Sequence, residues 1–384
     1  MKDFKNIGIV GAGSMGIGIA QIASTSGCKV FLYDQNIEIA LNALIKLKKI
    51  LNRLIEKKRI NSKKRDEILS NIKMVNSLNK LSDSDLIIEA IIENIKIKKD
   101  LFSKLQTIVK KDCIIASNTS SLSITNLASS LKYPSNFIGI HFFNPAPLMP
   151  LVEIIPALQT HINLSDDIRN LLLGWNKFPV IAKDTPGFIV NRIARPFYSE
   201  ALRIYDEQIA DFATIDFAMK EVGGFKMGPF ELMDFIGNDV NYAVTESVFK
   251  SFYYDSKYKP SLTQKQYANA GWLGRKTNKG YYDYNNSIKS VPNNDLKLHN
   301  TIFERILVML INDAVDAFYL GVASKEDIEL AIIKGVNYPK GLIAWGEEKT
   351  FIWVEKKMDE LYDNYKEDRY RCSPLVRQWS NKKK

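Results

Sequence analysis

The sequence predicts an α/β domain with a doubly wound parallel sheet, followed by an all-α region made of two repeated helical modules. Short apolar strands alternate with helical patterns through the first half of the chain, which is typical of a parallel sheet with helices on both faces. Strand-like runs nearly vanish after Thr185-Pro186-Gly187, and the helical remainder repeats itself at a fixed spacing. These observations together predict the two-part architecture.

The first elements form a β-α-β unit. An apolar strand at residues 6–10 runs into the glycine-rich turn GAGSMG at residues 11–16. Apolar residues then recur at helical spacing as far as Gly27, and the next strand, at residues 29–33, ends at Asp34. A glycine turn between a strand and a helix is the Rossmann-type arrangement that binds dinucleotides.

Further strands are predicted at residues 72–75, 86–88, 114–116 and 137–140. A long helix, at about residues 37–58, lies between the second and third strands. The apolar stripe of this helix consists of Leu44, Leu47, Leu51 and Leu54, whereas Lys46, Lys49, Arg53 and Lys57 share another face. The basic face is either a solvated surface or an anion-binding surface, and its pattern alone leaves both interpretations open.

The helical half contains an internal repeat with a spacing of 113 residues. Residues that agree in type include the pairs Arg192 and Arg305, Asp216 and Glu329, and Gly228 and Gly341. The predicted domains are therefore a first domain at residues 1–184 and two helical modules at residues 185–290 and 291–384. Glu304 stands where the first module has Asn191, so chemistry at that position belongs to the first module.

Composition excludes several classes of protein. The chain has 384 residues, 46% of them hydrophobic and 25% charged, as in ordinary soluble proteins. The net charge is +10, but the lysines are dispersed and no aromatic-basic motif accompanies them, so no nucleic-acid partner is expected. No apolar run reaches the roughly 18 residues of a membrane span. The expected partner is a small molecule.

The N-terminal sequence and the small number of cysteines favour a cytoplasmic location. A strand begins almost at the N-terminus, which leaves no room for a signal peptide. Cys28, Cys113 and Cys372 are few and widely spaced, which argues against a disulfide framework and against a zinc site. We therefore expect no bound metal and a cytoplasmic location.

The glycine turn and Asp34 predict the cofactor. Gly11 permits the tight turn, Gly13 lets the backbone approach a pyrophosphate, and Gly16 lets the helix pack on the strand. The pyrophosphate is expected to rest on the helix N-terminus. A carboxylate at Asp34 accepts hydrogen bonds from ribose hydroxyls and repels a 2′-phosphate. The sequence therefore predicts NAD in preference to NADP.

A histidine and a carboxylate are the candidate proton-transfer pair. His141 is predicted to lie at the carboxyl edge of the sheet, where ligands bind in such folds. Pro145, Pro147 and Pro150 predict an extended path that brings Glu153 back alongside His141. A carboxylate on one ring nitrogen fixes the tautomer, so that the other nitrogen can take a hydroxyl proton.

The other two histidines, His161 and His299, have no such partner in the sequence. We interpret both as structural or surface residues.

Four motifs together resemble those of the 3-hydroxyacyl-CoA dehydrogenase family. They are SNTSSL at residues 117–122, HFFNP at 141–145, DTPGFIVNR at 184–192 and MGPFEL at 227–232. They stand in the order and spacing of the family, and the similarity covers residues 5–285 nearly continuously. The duplicated helical module resembles that of bifunctional β-oxidation proteins.

The resemblance implies reversible, NAD-dependent oxidation of a (3S)-3-hydroxyacyl-CoA to the 3-oxoacyl-CoA, with a short chain such as 3-hydroxybutyryl-CoA, in fatty-acid or butanoate metabolism. His141 matches the catalytic histidine of the family and Glu153 its carboxylate partner. Ser120 and Asn191 match the residues that orient the substrate oxygen.

The resemblance also implies contacts with both ligands. The positions that match cofactor contacts are Glu93, Lys98, Ser120, Asn144 and Lys276. Lys57 matches a residue that holds coenzyme A, which favours the anion-binding interpretation of the basic face. Ile50 stands where the family often has a second polar contact, so the anchoring of coenzyme A is expected to differ in detail.

Two alternative functions remain at this point. A dehydrogenase of free 3-hydroxy acids or sugar acids needs no distant phosphate anchor, so the basic face distinguishes it. A non-catalytic NAD-binding protein would not need the four catalytic-type residues Ser120, His141, Glu153 and Asn191. In short members of the family the helical module dimerises, so two modules in one chain predict a monomer or a weaker homodimer.

Overall fold

The computed structural model describes residues 3–286 and 290–382 and divides the chain into two compact units, Met1–Thr185 and Pro186–Lys384. The first unit is built on one sheet, whose strands are β1 (Asn6–Val10), β2 (Lys29–Tyr33), β3 (Ile72–Val75), β4 (Leu86–Glu89), β5 (Ile114–Ser117), β6 (Phe137–Phe142), β7 (Leu151–Pro156) and β8 (Phe178–Ile181). Its helices are α1 (Ser14–Thr25), α2 (Ile37–Glu56), α3 (Ser62–Ser70), α4 (Ile95–Ile108), α5 (Ile124–Ala128) and α6 (Leu164–Gly174).

The strand order is β3-β2-β1-β4-β5-β6-β7-β8, so the order reverses between β1 and β4. Strands β1 to β6 are parallel, as predicted. The prediction of a wholly parallel sheet is wrong at its end, because β7 runs antiparallel to β6 and β8 runs parallel to β7. These last two strands were not predicted. The fold class, a Rossmann-type doubly wound sheet followed by helices, is confirmed.

The connection between β6 and β7 explains the reversal. The proline-rich segment was expected to be extended, but it turns, and the N–H groups of Leu148 and Met149 both donate to the carbonyl of Pro145 at 3.0 Å. A parallel neighbour would need a crossover of a dozen residues or more, whereas a short turn can only place the next strand antiparallel. The correction therefore follows from the length of the loop.

Helix α2 has the two predicted faces. The side chain of Asn36 caps its N-terminus by accepting a hydrogen bond from the N–H of Glu38 at 3.0 Å. Leu47 and Leu51 are buried, and Leu44 and Leu54 are partly buried against the same core. The basic residues of the other face are exposed: Lys46, Lys49, Arg53 and Lys57.

The second unit is helical, and no named strand follows β8 in the described parts of the chain. Its helices are α7 (Val190–Ile193), α8 (Arg195–Asp206), α9 (Phe212–Glu221), α10 (Pro229–Ile236), α11 (Asn238–Ser251), α12 (Leu262–Asn269), α13 (Leu296–Tyr319), α14 (Lys325–Gly335), α15 (Leu342–Lys349), α16 (Phe351–Tyr365) and α17 (Pro374–Asn381). Helices α9, α10 and α11 begin 113 residues before α14, α15 and α16. No described helix is long and apolar enough to cross a membrane.

In both modules an acidic side chain binds the backbone N–H groups at the start of a helix. The carboxylate of Asp216 accepts hydrogen bonds from the N–H groups of Phe230 (2.9 Å) and Glu231 (2.8 Å) at the start of α10. Glu329 does the same at the start of α15, with N–H groups of residues 343 and 344. A Cβ atom at Gly228 would lie 2.4 Å from Asp216. The glycine and the acid of the repeat are therefore paired by contact.

We expect Asp216→Ala to lower the free energy of unfolding by about 2–4 kcal/mol, because the N–H groups at the start of α10 would lose their acceptor. The hydroxyl of Tyr282, 2.7 Å from Asp216, would lose it too. Urea unfolding measures the change. Asp363→Ala is a suitable control, since Asp363 is exposed and pairs with the exposed Lys366. Equal losses in both variants would contradict this role of Asp216.

Buried ion pairs join the two modules. Glu200 in α8 lies 2.7 Å from Nε of Arg305, and Asp313 in α13 lies 2.5 Å from Nζ of Lys257. Glu200 and Asp313 occupy equivalent positions of the repeat, and each pairs with a cation of the other module. The proposed boundary between the modules, at residue 290, adjoins residues outside the described ranges and stays a prediction.

Candidate active site

The glycine turn leaves one side open. Gly11 has φ +101°, and a Cβ there would lie 2.5 Å from the carbonyl oxygen of Ala90. A Cβ at Gly16 would lie 1.8 Å from the carbonyl oxygen of Gly11, whereas a Cβ at Gly13 would meet nothing within 4 Å. Gly13 precedes α1 and offers no side-chain cap. The N-terminal N–H groups of this helix therefore face a space that a phosphate can enter.

A cleft of about 810 Å³ adjoins the turn. Its lining includes Gly13, Asp34 and the apolar residues Ile91 and Ile92. The carboxylate of Asp34 accepts hydrogen bonds from the N–H groups of Ala12 (2.7 Å) and of residue 36 (2.9 Å), which fix its orientation. An acid held beside an apolar wall suits a ribose next to a flat aromatic base. The sequence did not predict this apolar wall. Ile92, one of its residues, is 64% exposed, which is unusual for a large apolar side chain.

His141 and Glu153 face each other across the antiparallel pair β6 and β7. Nδ1 of His141 lies 2.7 Å from Oε2 of Glu153, and the two residues are 5% and 0% exposed. An ionised carboxylate only accepts hydrogen bonds, so this contact with an ionised Glu153 requires the ring proton on Nδ1 and leaves Nε2 as the nitrogen for a second proton. The structure thus brings together the two residues that were predicted to pair.

The loop after β5 is tied to Glu93. One oxygen of Glu93 accepts hydrogen bonds from the hydroxyls of Thr119 (2.5 Å) and Ser121 (2.9 Å) and from the N–H of Ser120 (3.1 Å). Burial raises the pKa of Glu93, but Lys98 and the two hydroxyls lower it by more, so the pKa lies below its usual range. The hydroxyl of Ser120 forms no hydrogen bond within the described residues, so this group remains available for a ligand.

Lys98 lies beneath this loop between two acids. Its side chain is 1% exposed, and Nζ lies 2.6 Å from Glu89 and 3.2 Å from Glu93. The hydroxyl of Ser117 donates to the other oxygen of Glu89 at 2.6 Å. The resemblance implied that Lys98 contacts the cofactor, and the structure shows a buried ammonium between carboxylates. No role was predicted for Glu89. The sequence signal for this role is an acidic residue at the end of an apolar strand.

A buried lysine anchors the turn that carries Asn144. Asn144 is exposed and lies two residues after the end of β6. The ammonium of Lys177, 6% exposed, donates to the carbonyls of Ala146 (2.7 Å) and Met149 (2.8 Å). Burial lowers the pKa of Lys177 to about 8. No sequence pattern indicated this role.

The remaining predicted residues belong to both units. Lys57 is exposed at the C-terminal end of α2 in the first unit. Asn191, in α7, is half-buried, and Lys276 is exposed and forms an ion pair with Asp239 at 2.7 Å; both belong to the second unit. His161 is exposed.

His299 is buried, and its Nε2 lies 2.6 Å from the carbonyl oxygen of Asn293. This contact agrees with a structural role.

Two family models match the chain. The model of the 3-hydroxyacyl-CoA dehydrogenase NAD-binding domain matches residues 6–185, and that of the C-terminal domain of the same family matches residues 187–284 and again 302–384. The chain belongs to the 3-hydroxyacyl-CoA dehydrogenase family. It is therefore an NAD-dependent oxidoreductase, and the predicted family and cofactor are confirmed.

Relatives match over one helical module or over both. The 3-hydroxyadipyl-CoA dehydrogenase of Escherichia coli is 32% identical, with 98% of each chain covered. The 3-hydroxybutyryl-CoA dehydrogenase of Clostridioides difficile is 41% identical over 73% of this chain and 99% of its own. The crystal structure of a 3-hydroxybutyryl-CoA dehydrogenase from E. coli aligns with a TM-score of 0.94 at 32% identity, covering 99% of both chains.

Proposed function

We propose that the protein catalyses the reversible oxidation of a (3S)-3-hydroxyacyl-CoA of short chain length, such as 3-hydroxybutyryl-CoA, to the 3-oxoacyl-CoA. The observation that carries this proposal is the buried pair of His141 and Glu153, 2.7 Å apart near the carboxyl end of β6. NAD, when bound, supplies the hydride acceptor. Fatty-acid or butanoate metabolism in the cytoplasm is the proposed setting.

The side chains have distinct roles in this mechanism. His141 takes the hydroxyl proton at Nε2 while a hydride leaves C3, and Glu153 stabilises the resulting imidazolium. The free hydroxyl of Ser120, together with Asn191, orients the substrate oxygen. In the reducing direction His141 returns the proton to the alkoxide oxygen, so the step balances in both directions.

Further contacts are proposed for the cofactor. Besides the glycine turn and Asp34, the proposed direct contacts are Glu93, Ser120, Asn144 and Lys276. The open space at Gly13 and the fixed carboxylate of Asp34 fit the pyrophosphate and the adenosine ribose. Lys98 is proposed to act through Glu93, because its ammonium is buried.

The test is NADH consumption with acetoacetyl-CoA, beside free acetoacetate and with NADPH in place of NADH. Turnover restricted to the thioester and NADH supports the proposal. Turnover of the free acid would replace it with the hydroxy-acid function, and tight NADH binding without turnover would indicate a non-catalytic protein. Because one relative is named for 3-hydroxyadipyl-CoA, 3-oxoadipyl-CoA is a second thioester to compare.

The basic face of α2 is proposed to hold coenzyme A at Lys57. We expect Lys57→Ala to raise KM for the thioester about three- to tenfold and to leave kcat nearly unchanged, since a remote phosphate contact contributes to binding alone. Lys48→Ala is the matched control, because Lys48 is exposed on another face of the same helix. A similar rise in KM for both variants would show a general charge effect.

We propose that the chain is a monomer or a weak homodimer. The ion pairs of Glu200 with Arg305 and of Lys257 with Asp313 support this, because the two modules already bury charged groups against each other. Sedimentation equilibrium at low concentration should give the mass of one chain. A tightly bound pair of chains would contradict the monomer.

A further inference from the structure

Three charged side chains lie together at the carboxyl ends of the central strands. Glu89 is the last residue of β4 and is fully buried, and its carboxylate accepts hydrogen bonds from the ammonium of Lys98 (2.6 Å) and the hydroxyl of Ser117 (2.6 Å). The N–H of Ile91 also donates to it, at 2.7 Å. The carboxylate of Glu93 lies 3.2 Å from the same ammonium. Two carboxylates thus share one ammonium, which gives the cluster a formal net charge of −1.

One carboxylate would be enough to neutralise Lys98. Glu93 adds a second, and it is partly exposed, with 38% of its side chain accessible. Its other oxygen holds the loop that carries Ser120. The excess negative charge therefore extends from the buried end of β4 toward the surface where the Ser120 loop lies.

The sheet order places this charge in the nicotinamide half of the cofactor site. The order reverses between β1 and β4, and ligands bind at such a switch point beyond the carboxyl ends of the strands. Asp34, at the end of β2, belongs to the half that receives the adenosine. The cleft continues along Ala90 and Ile91, the residues that follow Glu89. The other half of the dinucleotide then lies over the ends of β4 and β5.

We propose that Glu89 is a positioning residue that holds Lys98 and Glu93 in place and keeps this cluster at a charge of −1, so that the site binds NAD⁺ more tightly relative to NADH. The nicotinamide ring is positively charged in NAD⁺ and neutral in NADH. A nearby negative charge in a buried setting therefore favours the oxidised cofactor. This proposal concerns the cofactor and does not depend on the identity of the thioester.

The experiment compares three full-length proteins. Glu89→Gln keeps the size of the side chain and brings the cluster to a net charge of zero. Glu89→Gln combined with Lys98→Met returns it to −1, carried by Glu93 alone. Dissociation constants for NAD⁺ and for NADH are measured separately by calorimetry. We expect E89Q to raise the ratio of the Kd for NAD⁺ to the Kd for NADH about three- to tenfold. The double variant should return this ratio to within about twofold of the wild-type value.

Loss of packing alone would weaken the binding of both NAD⁺ and NADH. A second substitution would not restore that binding. Ser117→Ala is the control, because it removes a hydrogen bond to Glu89 and leaves the charge unchanged. An unchanged ratio in E89Q, or a double variant that stays at the E89Q ratio, would overturn the proposal. If E89Q does not fold, Glu93→Gln tests the same change of net charge.

Discussion

Glu153→Gln is expected to lower kcat by about 10²- to 10⁴-fold and to leave the Kd for NADH nearly unchanged. The amide has almost the shape of the carboxylate, so the packing of this fully buried residue is preserved. It cannot stabilise a positive charge on His141, whose Nδ1 lies 2.7 Å from the carboxylate. Turnover is measured with acetoacetyl-CoA and NADH, and binding by titration of NADH fluorescence.

The control is the same substitution at another acid. Glu329→Gln changes a half-buried acid in the second helical module, and it should leave kcat unchanged. Turnover of E153Q close to the wild-type value would exclude the proposed role of the pair. Loss of NADH binding together with turnover would instead assign Glu153 a structural role.

Gly13→Ala is expected to weaken NADH binding by about a hundredfold or more without a change in the free energy of unfolding. A Cβ there meets nothing within 4 Å in the folded chain, so the protein itself accommodates the methyl group. The methyl group would stand at the start of α1, where the backbone must approach the pyrophosphate closely. Titration with NADH and urea unfolding test the two parts separately.

A matched control is available in the same unit. A Cβ at Gly174, at the end of α6, also meets nothing within 4 Å. Gly174→Ala should leave the affinity unchanged and should raise the stability by at most about 1 kcal/mol, since alanine favours the helix more than glycine does. Unaltered affinity in Gly13→Ala would place the pyrophosphate away from this turn.

Several features of the fold and the site could be predicted because their signals are local. The spacing of apolar residues defines the strands and the two faces of α2. The glycine turn is set by close contacts between neighbours in sequence, such as Gly16 against Gly11. The repeat was visible because the acid of Asp216 or Glu329 and its partner glycine recur at one spacing in both modules.

The antiparallel strands could not be read from the same patterns. An apolar strand has the same periodicity whichever way it runs, and only the turn closed on Pro145 decides the direction of β7. The sequence indicated that Glu153 returns to His141, but the pairing of these two residues across β6 and β7 depends on that turn.

By itself, the sequence determined the family and the cofactor, because both are encoded by residue types within short motifs, and it predicted that His141 and Glu153 pair. Only the tertiary structure decided that Lys98 is buried between Glu89 and Glu93, and that Lys177 anchors the turn after β6. The physical reason is burial. Lys98 is only nine residues from Glu89 in the sequence, but the spacing does not show that both side chains are enclosed by the folded sheet, where a charged group needs a partner.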